Sequence, residues 1–289
     1  MKQLKIGIQI IFIVAVIIHF TVKDYFYASA IIFYAFPLPI IMLLTSFSII
    51  VNKKWRKISM LFLLVLSVIW YFKSYVSNHN NTSKNGLEIV VWNAGHNQSF
   101  EEAFIENKRI PDVLVLIECN LKSIQKTQNT YPNYYFHLSE EEIGIFSKTP
   151  LKIISEITSE TNSTVLKFST NNIIFYAVDL TAEIFNSRKE ELQFVYANIE
   201  YHNNSVVLGD FNTPLESIYF EDFKNNYNHA FSVKGKGFKE TWFWNLPLLS
   251  LDHIWVSHNL KINKTDKIST RKSDHSMLRT YVSRPTIRK

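Results

Sequence analysis

The first quarter of the chain is almost continuously apolar, and this constrains the fold more than any other feature. Three apolar stretches follow one another: Ile6–Val22, about Phe26 to Val51, and Ile58 to about Phe72. A helix that spans a bilayer needs about 20 predominantly apolar residues, with a range of about 17–25. The first and third stretches sit at the short end of that range. The second contains Pro37 and Pro39, which kink a helix, although a membrane helix tolerates this when neighbours re-satisfy the backbone. The pattern predicts three transmembrane helices within residues 1–76. A cleaved signal peptide is the competing reading, since Lys2 and Lys5 precede the first stretch and Ala28-Ser29-Ala30 resembles a cleavage site. The apolar run continues past Ala30, however, which is wrong for a mature N-terminus.

Orientation follows from the distribution of lysine and arginine. Lys2 and Lys5 favour a cytoplasmic N-terminus, and Lys53, Lys54, Arg56 and Lys57 form the strongest inside signal in the chain. Three crossings then place everything after Phe72 on the extracytoplasmic side of a plasma membrane. The polar stretch Ser77–Gly86, SNHNNTSKNG, reads as a linker (77–86), with a folded domain over 87–289.

From Leu87 the pattern changes to short β-rich runs separated by turns. Strands are expected at LEIVVWN, at VLVLIE, over Tyr134–Leu138, Gly144–Ser147, Leu151–Glu156, Thr164–Ser169 and Ile173–Asp179, then at Ser205–Leu208, LDHIWVS and MLRTYV. Ser99 and Glu102 have the spacing of a capping box and open a helix to about Lys108. A second helix is expected around Ser187–Tyr196. Many strands with few intervening helices predict an α+β domain of packed sheets, not a doubly wound parallel sheet. The single cysteine, Cys119, excludes an intrachain disulfide and sits in a strand-like run as a buried small hydrophobe. The net charge of +6 includes a basic excess in the last thirty or so residues. With no aromatic residues interleaved as in a single-strand channel, it reads as a solvated face.

Asn93, Glu118, Asp210, Asp252 and Asp274 each lie at the edge of a hydrophobic run. One such residue is ordinarily a turn residue, but strand ends in a packed sheet converge on one rim. VVLGDFNTP puts Asp210 and Asn212 just past a strand, with the i, i+2 spacing that aims both side chains the same way. KSDHSM supplies Asp274 and His275, and LDHIWVS supplies Asp252. An Asp–His pair fixes an imidazole tautomer and raises its basicity. Carboxylates with a neutral amide partner suit hard cations such as Mg²⁺ or Mn²⁺. Zinc-finger spacing is lacking.

The ordered set WN, IE, GDFN, LDHIWVS and SDH resembles the endonuclease/exonuclease/phosphatase superfamily, over about Leu87 to Val282. This family includes apurinic-site nucleases, DNase I-like enzymes, inositol phosphatases and neutral sphingomyelinases. The segment GFKETWFWNLPLLSLDHIWVS and the N-terminal helices are most similar to its membrane-anchored VanJ-like subset. The resemblance implies a DNase I-like four-layer sandwich and metal-dependent phosphodiester or phosphomonoester hydrolysis. It implies Glu118 as the principal Mg²⁺ or Mn²⁺ ligand with Asn93 beside it. Asp210 would orient or deprotonate the attacking water, and Asn212 would hold that water or a phosphoryl oxygen. Asp252 would position His275 against the phosphate, and Asp274 would complete the metal or water network. The chain departs from the pattern at YAVDLTA, where Asp179 stands in place of the family's histidine. His96 is the remaining histidine nearest the set, and Trp242 and Trp244 are candidates for a substrate wall. The expected substrate is a lipid-linked or small phosphate held near the bilayer, with nucleic acid as the alternative and a non-catalytic binding protein as the third.

Overall fold

A computed structural model of the chain describes residues 2–77, 82–120, 124–183 and 185–284. The centre of the expected linker (78–81) and the basic residues Arg288 and Lys289 lie outside the described residues. The N-terminal region forms four helices. Helix α1 (Lys2–Ile17) continues into a π-helical turn, Ile18–Val22. The chain then turns at Lys23, which adopts a left-handed φ of 50°. Helix α2 (Tyr27–Ala35) departs so that Ile10–Val22 and Tyr27–Ala35 are bent by 110° to one another. Helix α3 covers Leu38–Val51 and α4 covers Arg56–Ser74.

The helix boundaries differ from the sequence expectation at a physically plain point. The second apolar stretch is two helices and not one kinked helix, because Pro37 cannot continue α2 and instead caps α3 in an extended conformation. One described helix, Arg56–Ser74, is long and apolar enough to cross a membrane, and the bent α1–α2 pair meets the same criterion jointly. At 1.5 Å per residue α4 is about 28 Å long and α3 about 21 Å. Large apolar side chains face outward along these helices, among them Ile13, Leu43, Phe47, Leu61, Leu64 and Phe72.

Strand β1 (Tyr75–Ser77) leaves α4 directly and pairs with β11 (Lys236–Phe238), while Trp70 stacks on Phe238 with ring centroids 4.7 Å apart. The last turn of α4 is thereby bonded to the folded domain. That domain consists of β2 (Leu87–Asn93), α5 (Phe100–Asn107), β3 (Val113–Ile117), α6 (Ile124–Thr130), β4 (Tyr135–Leu138), β5 (Gly144–Ser147), β6 (Lys152–Thr158), β7 (Thr164–Thr170), β8 (Ile173–Asp179), α7 (Arg188–Ala197), β9 (Ser205–Asp210), α8 (Glu221–Asn226), β10 (Tyr227–His229), α9 (Ala230–Lys234), β11, β12 (Asp252–Ser257), β13 (Lys261–Ile268) and β14 (Met277–Ser283). Two six-stranded mixed sheets run β13-β14-β2-β3-β5-β4 and β10-β12-β9-β8-β7-β6. The parallel pairs are β2 with β3 and β8 with β9.

Period-2 patterning explains the layers. On β2, Ile89 and Val91 point between the sheets, where they meet Phe168, Phe175, Val206 and Ile254. Val90 and Trp92 point outward and are covered by Phe100 and Phe104 of α5. On the other sheet Tyr176, Val207 and Trp255 face outward under Leu192 and Val195 of α7 and Phe223 of α8. The result is the expected α+β domain, two packed sheets flanked by helices, as in the DNase I-like fold.

Gly209 shows how tightly the second sheet is made. It sits in β9 opposite Val178 with a φ of 149°, and a Cβ there would overlap the Val178 carbonyl oxygen. Neither the backbone conformation nor the space suits another residue. Gly209→Ala should therefore destabilise the chain by about 3 kcal/mol or more. A thermal midpoint equal to wild type in the purified variant would refute this.

Candidate active site

Sheet register builds the core of the site. Asp210, the last residue of β9, is the register partner of both Asp179 at the end of β8 and Asp252 at the start of β12. Three aspartates from three adjacent strands therefore stand in one row at the sheet edge. The other sheet faces them with the ends of β2 and β3, carrying Asn93 and Glu118. Glu118 has a left-handed φ of 53°, held by the Ala94 N–H on the Ile117 carbonyl and the His96 N–H on the Glu118 carbonyl.

Asn93 links the two sheets. Its Nδ2 donates to Glu118 Oε1 at 3.1 Å and to Asp210 Oδ2 at 2.9 Å, while its oxygen accepts the Gly95 N–H at 2.9 Å. Asn93 here orients two carboxylates through its donor and does not turn its oxygen toward them. Asp210 Oδ1 accepts the Asn212 N–H at 2.8 Å, and Asn212 Nδ2 donates to the Leu180 carbonyl at 2.6 Å. Asn212 itself has a φ of 43°, a conformation that asparagine tolerates better than most residues.

The SDH segment is fastened to the same core. Ser273 Oγ donates to the Asn93 carbonyl and accepts the His275 N–H, and Trp92 Nε1 donates to the His275 carbonyl. His275 Nδ1 lies 2.9 Å from Asp252 Oδ2 and 3.8 Å from Asp210 Oδ2. Asp274 Oδ2 accepts from Trp242 Nε1 at 2.9 Å, which settles Trp242 as a wall of the cleft; Trp244 is half exposed. Each sequence-predicted site residue therefore reaches one cleft of about 440 Å³ or, in the case of Asp252, the layer directly beneath it.

The electrostatics of this cluster are divided. Burial and then the Asp252 carboxylate push Asp210 up to about 6, against the opposing pull of His275 and two hydrogen bonds. Burial alone would lower His275, but Asp252 and Asp210 overcome it and raise the imidazole to about 10. At neutral pH His275 is a cation whose Nδ1–H is committed to Asp252. Among the described residues no hydrogen-bond partner takes its Nε2. Burial, followed by Asp210 and Glu118, holds Asp179 well above the usual carboxylate range.

Two groups on this rim were not legible in the sequence. Arg188, the first residue of α7, is buried and lines the cleft. Its guanidinium donates to the Thr181 carbonyl at 2.5 Å and the Glu183 carbonyl at 3.3 Å, with no carboxylate in ion-pair distance among the described residues. A lone arginine opening a polar helix carries no signal of this. Glu142 is the other: His96 bridges Glu142 at 2.5 Å and Glu118 at 3.1 Å, so the histidine nearest the motif set does join it. His253 and His229 are buried together, 3.2 Å apart, behind the Thr213 carbonyl, and serve packing.

Whether this donor set fits a divalent cation can be judged from the side chains themselves. Glu118, Asp179, Asp210, Asp252 and Asp274 bring five carboxyl groups together against His275 and Arg188. Asp252 Oδ1 is a buried carboxylate oxygen without a hydrogen-bond partner. Asp210, Asp252 and His275 bring polar atoms within 4.8 Å of one another, of which the two carboxylates, and not the charged imidazole, are donors to a cation. Such a surplus of hard oxygen donors fits Mg²⁺ or Mn²⁺.

Residues 90–275 match the model of the endonuclease/exonuclease/phosphatase family. No curated protein matches the sequence significantly. Among solved structures, the fold is similar to an endonuclease/exonuclease/phosphatase family protein from Bacteroides thetaiotaomicron (TM-score 0.53, 14% identity, 68% of this chain and 97% of that one). It is equally similar to an AP endonuclease from Archaeoglobus fulgidus (TM-score 0.53, 14% identity, 67% and 98%). A humanized D. rerio TDP2 gives a TM-score of 0.51 at 16% identity, covering 68% and 98%. These likenesses concern the fold.

Proposed function

Because the chain belongs to the endonuclease/exonuclease/phosphatase family, we propose that it is a membrane-anchored, divalent-metal-dependent phosphoester hydrolase with an extracytoplasmic site. The observation that carries this reading is the convergence of Asn93, Glu118, Asp210, Asn212, Asp274 and His275 on one cleft. Glu118, with Asp274 and the Asn93 amide nearby, would hold Mg²⁺ or Mn²⁺, which when bound neutralises phosphoryl charge and stabilises the leaving oxygen.

The chain's own residues account for the rest. Asp210, raised to about 6, is poised near neutrality to take a proton from an in-line water at its carboxylate. Asn212 fixes that carboxylate through its N–H. The His275 imidazolium presents Nε2–H to a phosphoryl oxygen, where a fixed donor stabilises the transition state most. Asp252 keeps the imidazole charged and oriented. Burial raises Asp179 well above the usual carboxylate range, which lessens its repulsion where the family has histidine, and Arg188 adds positive charge to the same cleft.

The anchor argues for a membrane-borne substrate. Contiguous apolar patches of more than a few hundred Å² are rare on soluble monomers, yet α1, α3 and α4 expose rows of Ile, Leu and Phe. Chain direction supports the orientation: α4 ends at the catalytic domain, so the basic turn Lys53–Lys57 lies one helix length away. Three crossings follow if α1, α3 and α4 each span, with α2 lying at the surface. The short α3 then requires local thinning of the bilayer. These features support a reading of the protein as one of the VanJ-like subset. A lipid-linked phosphate is the substrate this arrangement favours, since anchoring raises the effective concentration of a membrane-held molecule. A nuclease is less favoured, because Arg279 is spent on Asp266 and Asn107, Lys264 on Asp266 and Lys267 on the Glu240 carbonyl.

Full-length protein in detergent should hydrolyse bis-p-nitrophenyl phosphate with Mn²⁺ or Mg²⁺. Chelation should lower the rate by at least about 10²-fold, restored by re-addition of the ion. The hydrolase reading fails if neither this ester, nor plasmid DNA, nor an isoprenoid pyrophosphate is turned over.

A further inference from the structure

The N-terminal helices do more than lead into the catalytic domain, because one of them forms part of the cleft. Ile31, Tyr34 and Ala35 of α2 line the same 440 Å³ space as Asp210 and His275. Ala35 is exposed toward it and Ile31 is half-buried. Leu249 and Leu251 extend this apolar side. The cleft is therefore amphiphilic, lined both by carboxylates, an imidazole and a guanidinium and by the aliphatic groups of Ile31, Ala35, Leu249 and Leu251.

The placement of α2 is specified by buried polar bonds. Asp24, 2% exposed, accepts from the Tyr34 hydroxyl at 2.9 Å, from Ser217 Oγ, and from the Ile218 N–H at 3.2 Å. Lys23 Nζ donates to the Glu216 carbonyl at 3.0 Å, and the Tyr219 hydroxyl donates to the Tyr25 carbonyl at 3.0 Å. The segment Glu216–Tyr219 follows directly on the GDFNTP loop. The turn that launches α2 is thus bonded to the chain that leaves Asp210 and Asn212. Loose tethering would require none of these bonds, and a buried carboxylate with three donors fixes a register.

We propose that α2 is a specificity element of the active site. The phosphate of the substrate sits at the Asp210–His275 end, and a hydrocarbon chain leaves over Ile31 and Ala35 toward the bilayer. This deepens the hydrolase reading and rests on it for the position of the phosphate. The chemistry required is a phosphate carried on a long hydrocarbon, from an isoprenyl or a glycerolipid source.

Binding separates this proposal from the catalytic one, because it needs no turnover. Full-length protein in phosphatidylcholine nanodiscs with Mg²⁺ is titrated with butylphosphonate and hexadecylphosphonate, correcting for partition into empty discs. Wild type should bind the long chain at least about tenfold more tightly. Ala35→Trp, which fills the chain path, and the milder Ile31→Gln should each reduce that ratio to about twofold or less. A ratio near one in wild type, or a wild-type ratio retained in both variants, overturns the proposal. Competition by farnesyl phosphonate against phosphatidate then assigns the lipid source. Failure to hydrolyse any phosphoester would instead remove the hydrolase reading while leaving the chain-length ratio to stand or fall by itself.

Discussion

Asp210→Ala should lower metal-supported hydrolysis of bis-p-nitrophenyl phosphate by about 10³-fold, which is about 4 kcal/mol of transition-state stabilisation. The effect is large because Asp210 is the point where both sheets meet. Its two oxygens accept from Asn93 and Asn212, and its carboxylate borders His275. Loss of folding would be the trivial explanation, and the electrostatics argue against it. A carboxyl whose folded pKa is raised from 3.8 to about 6 penalises the fold as pH climbs through that window, and the penalty is complete above it. At pH 7.5 alanine relieves that penalty, about 3 kcal/mol at 1.4 kcal/mol per unit. It leaves the Asn212 N–H and one Asn93 Nδ2–H without an acceptor, which together cost about 2–6 kcal/mol. These terms overlap in size and are opposite in sign, so the thermal midpoint of the chelated protein should shift by only a few degrees. Turnover within about tenfold of wild type in a folded variant would refute the role.

The parts of this molecule that could be read from sequence are those governed by local pattern. Alternation in LEIVVWN marks β2, with Ile89 and Val91 inward and Val90 and Trp92 under α5. Ser99 with Glu102 marks the start of α5, where both capping hydrogen bonds are present. The order of WN, IE, GDFN, LDHIWVS and SDH identified residues that the sheets do bring together, because each lies at a strand end and strand ends share a rim. What could not be read depends on distant partners. Arg188 gains its place from α7 packing on β8, and Glu142 from a turn beside β5. Hydropathy showed the apolar block of residues 26–51 but not its division at Pro37, nor that Ile31 and Ala35 would border Asp210. That depends on Asp24 bonding to Ser217 and Ile218, contacts separated by about 190 residues. An apolar helix carries the same periodicity whether its neighbour is lipid or a catalytic cleft.

Asp252→Asn tests the interaction that contributes most to the charge on His275. The carboxylate is buried, its Oδ2 engages His275 at 2.9 Å, and its other oxygen has no hydrogen-bond partner. Its field raises the pKa of both the imidazole and the Asp210 carboxyl, and only the imidazole loses its charge on the alkaline side. In wild type the imidazolium persists to about pH 10, so the rate profile should stay flat through the neutral range and fall only above pH 9. Asparagine retains an acceptor for Nδ1–H but removes the charge, and burial then drives the imidazole pKa down. The alkaline limb should move to lower pH by two units or more, with a loss of about 10²-fold at pH 8 that is partly recovered near pH 6. Stability gives an independent reading of the same change. A histidine with a raised folded pKa contributes stability that is fully present below its ordinary value of 6.5 and is lost as pH rises through about 10. The wild-type thermal midpoint should therefore decline between pH 7 and 10 by more than that of Asp252→Asn. Asp252 acts through His275 and is a positioning residue, so a merely structural role would lower the rate equally at every pH. A uniform loss, with the alkaline limb still near 10, would show that some other group keeps His275 charged.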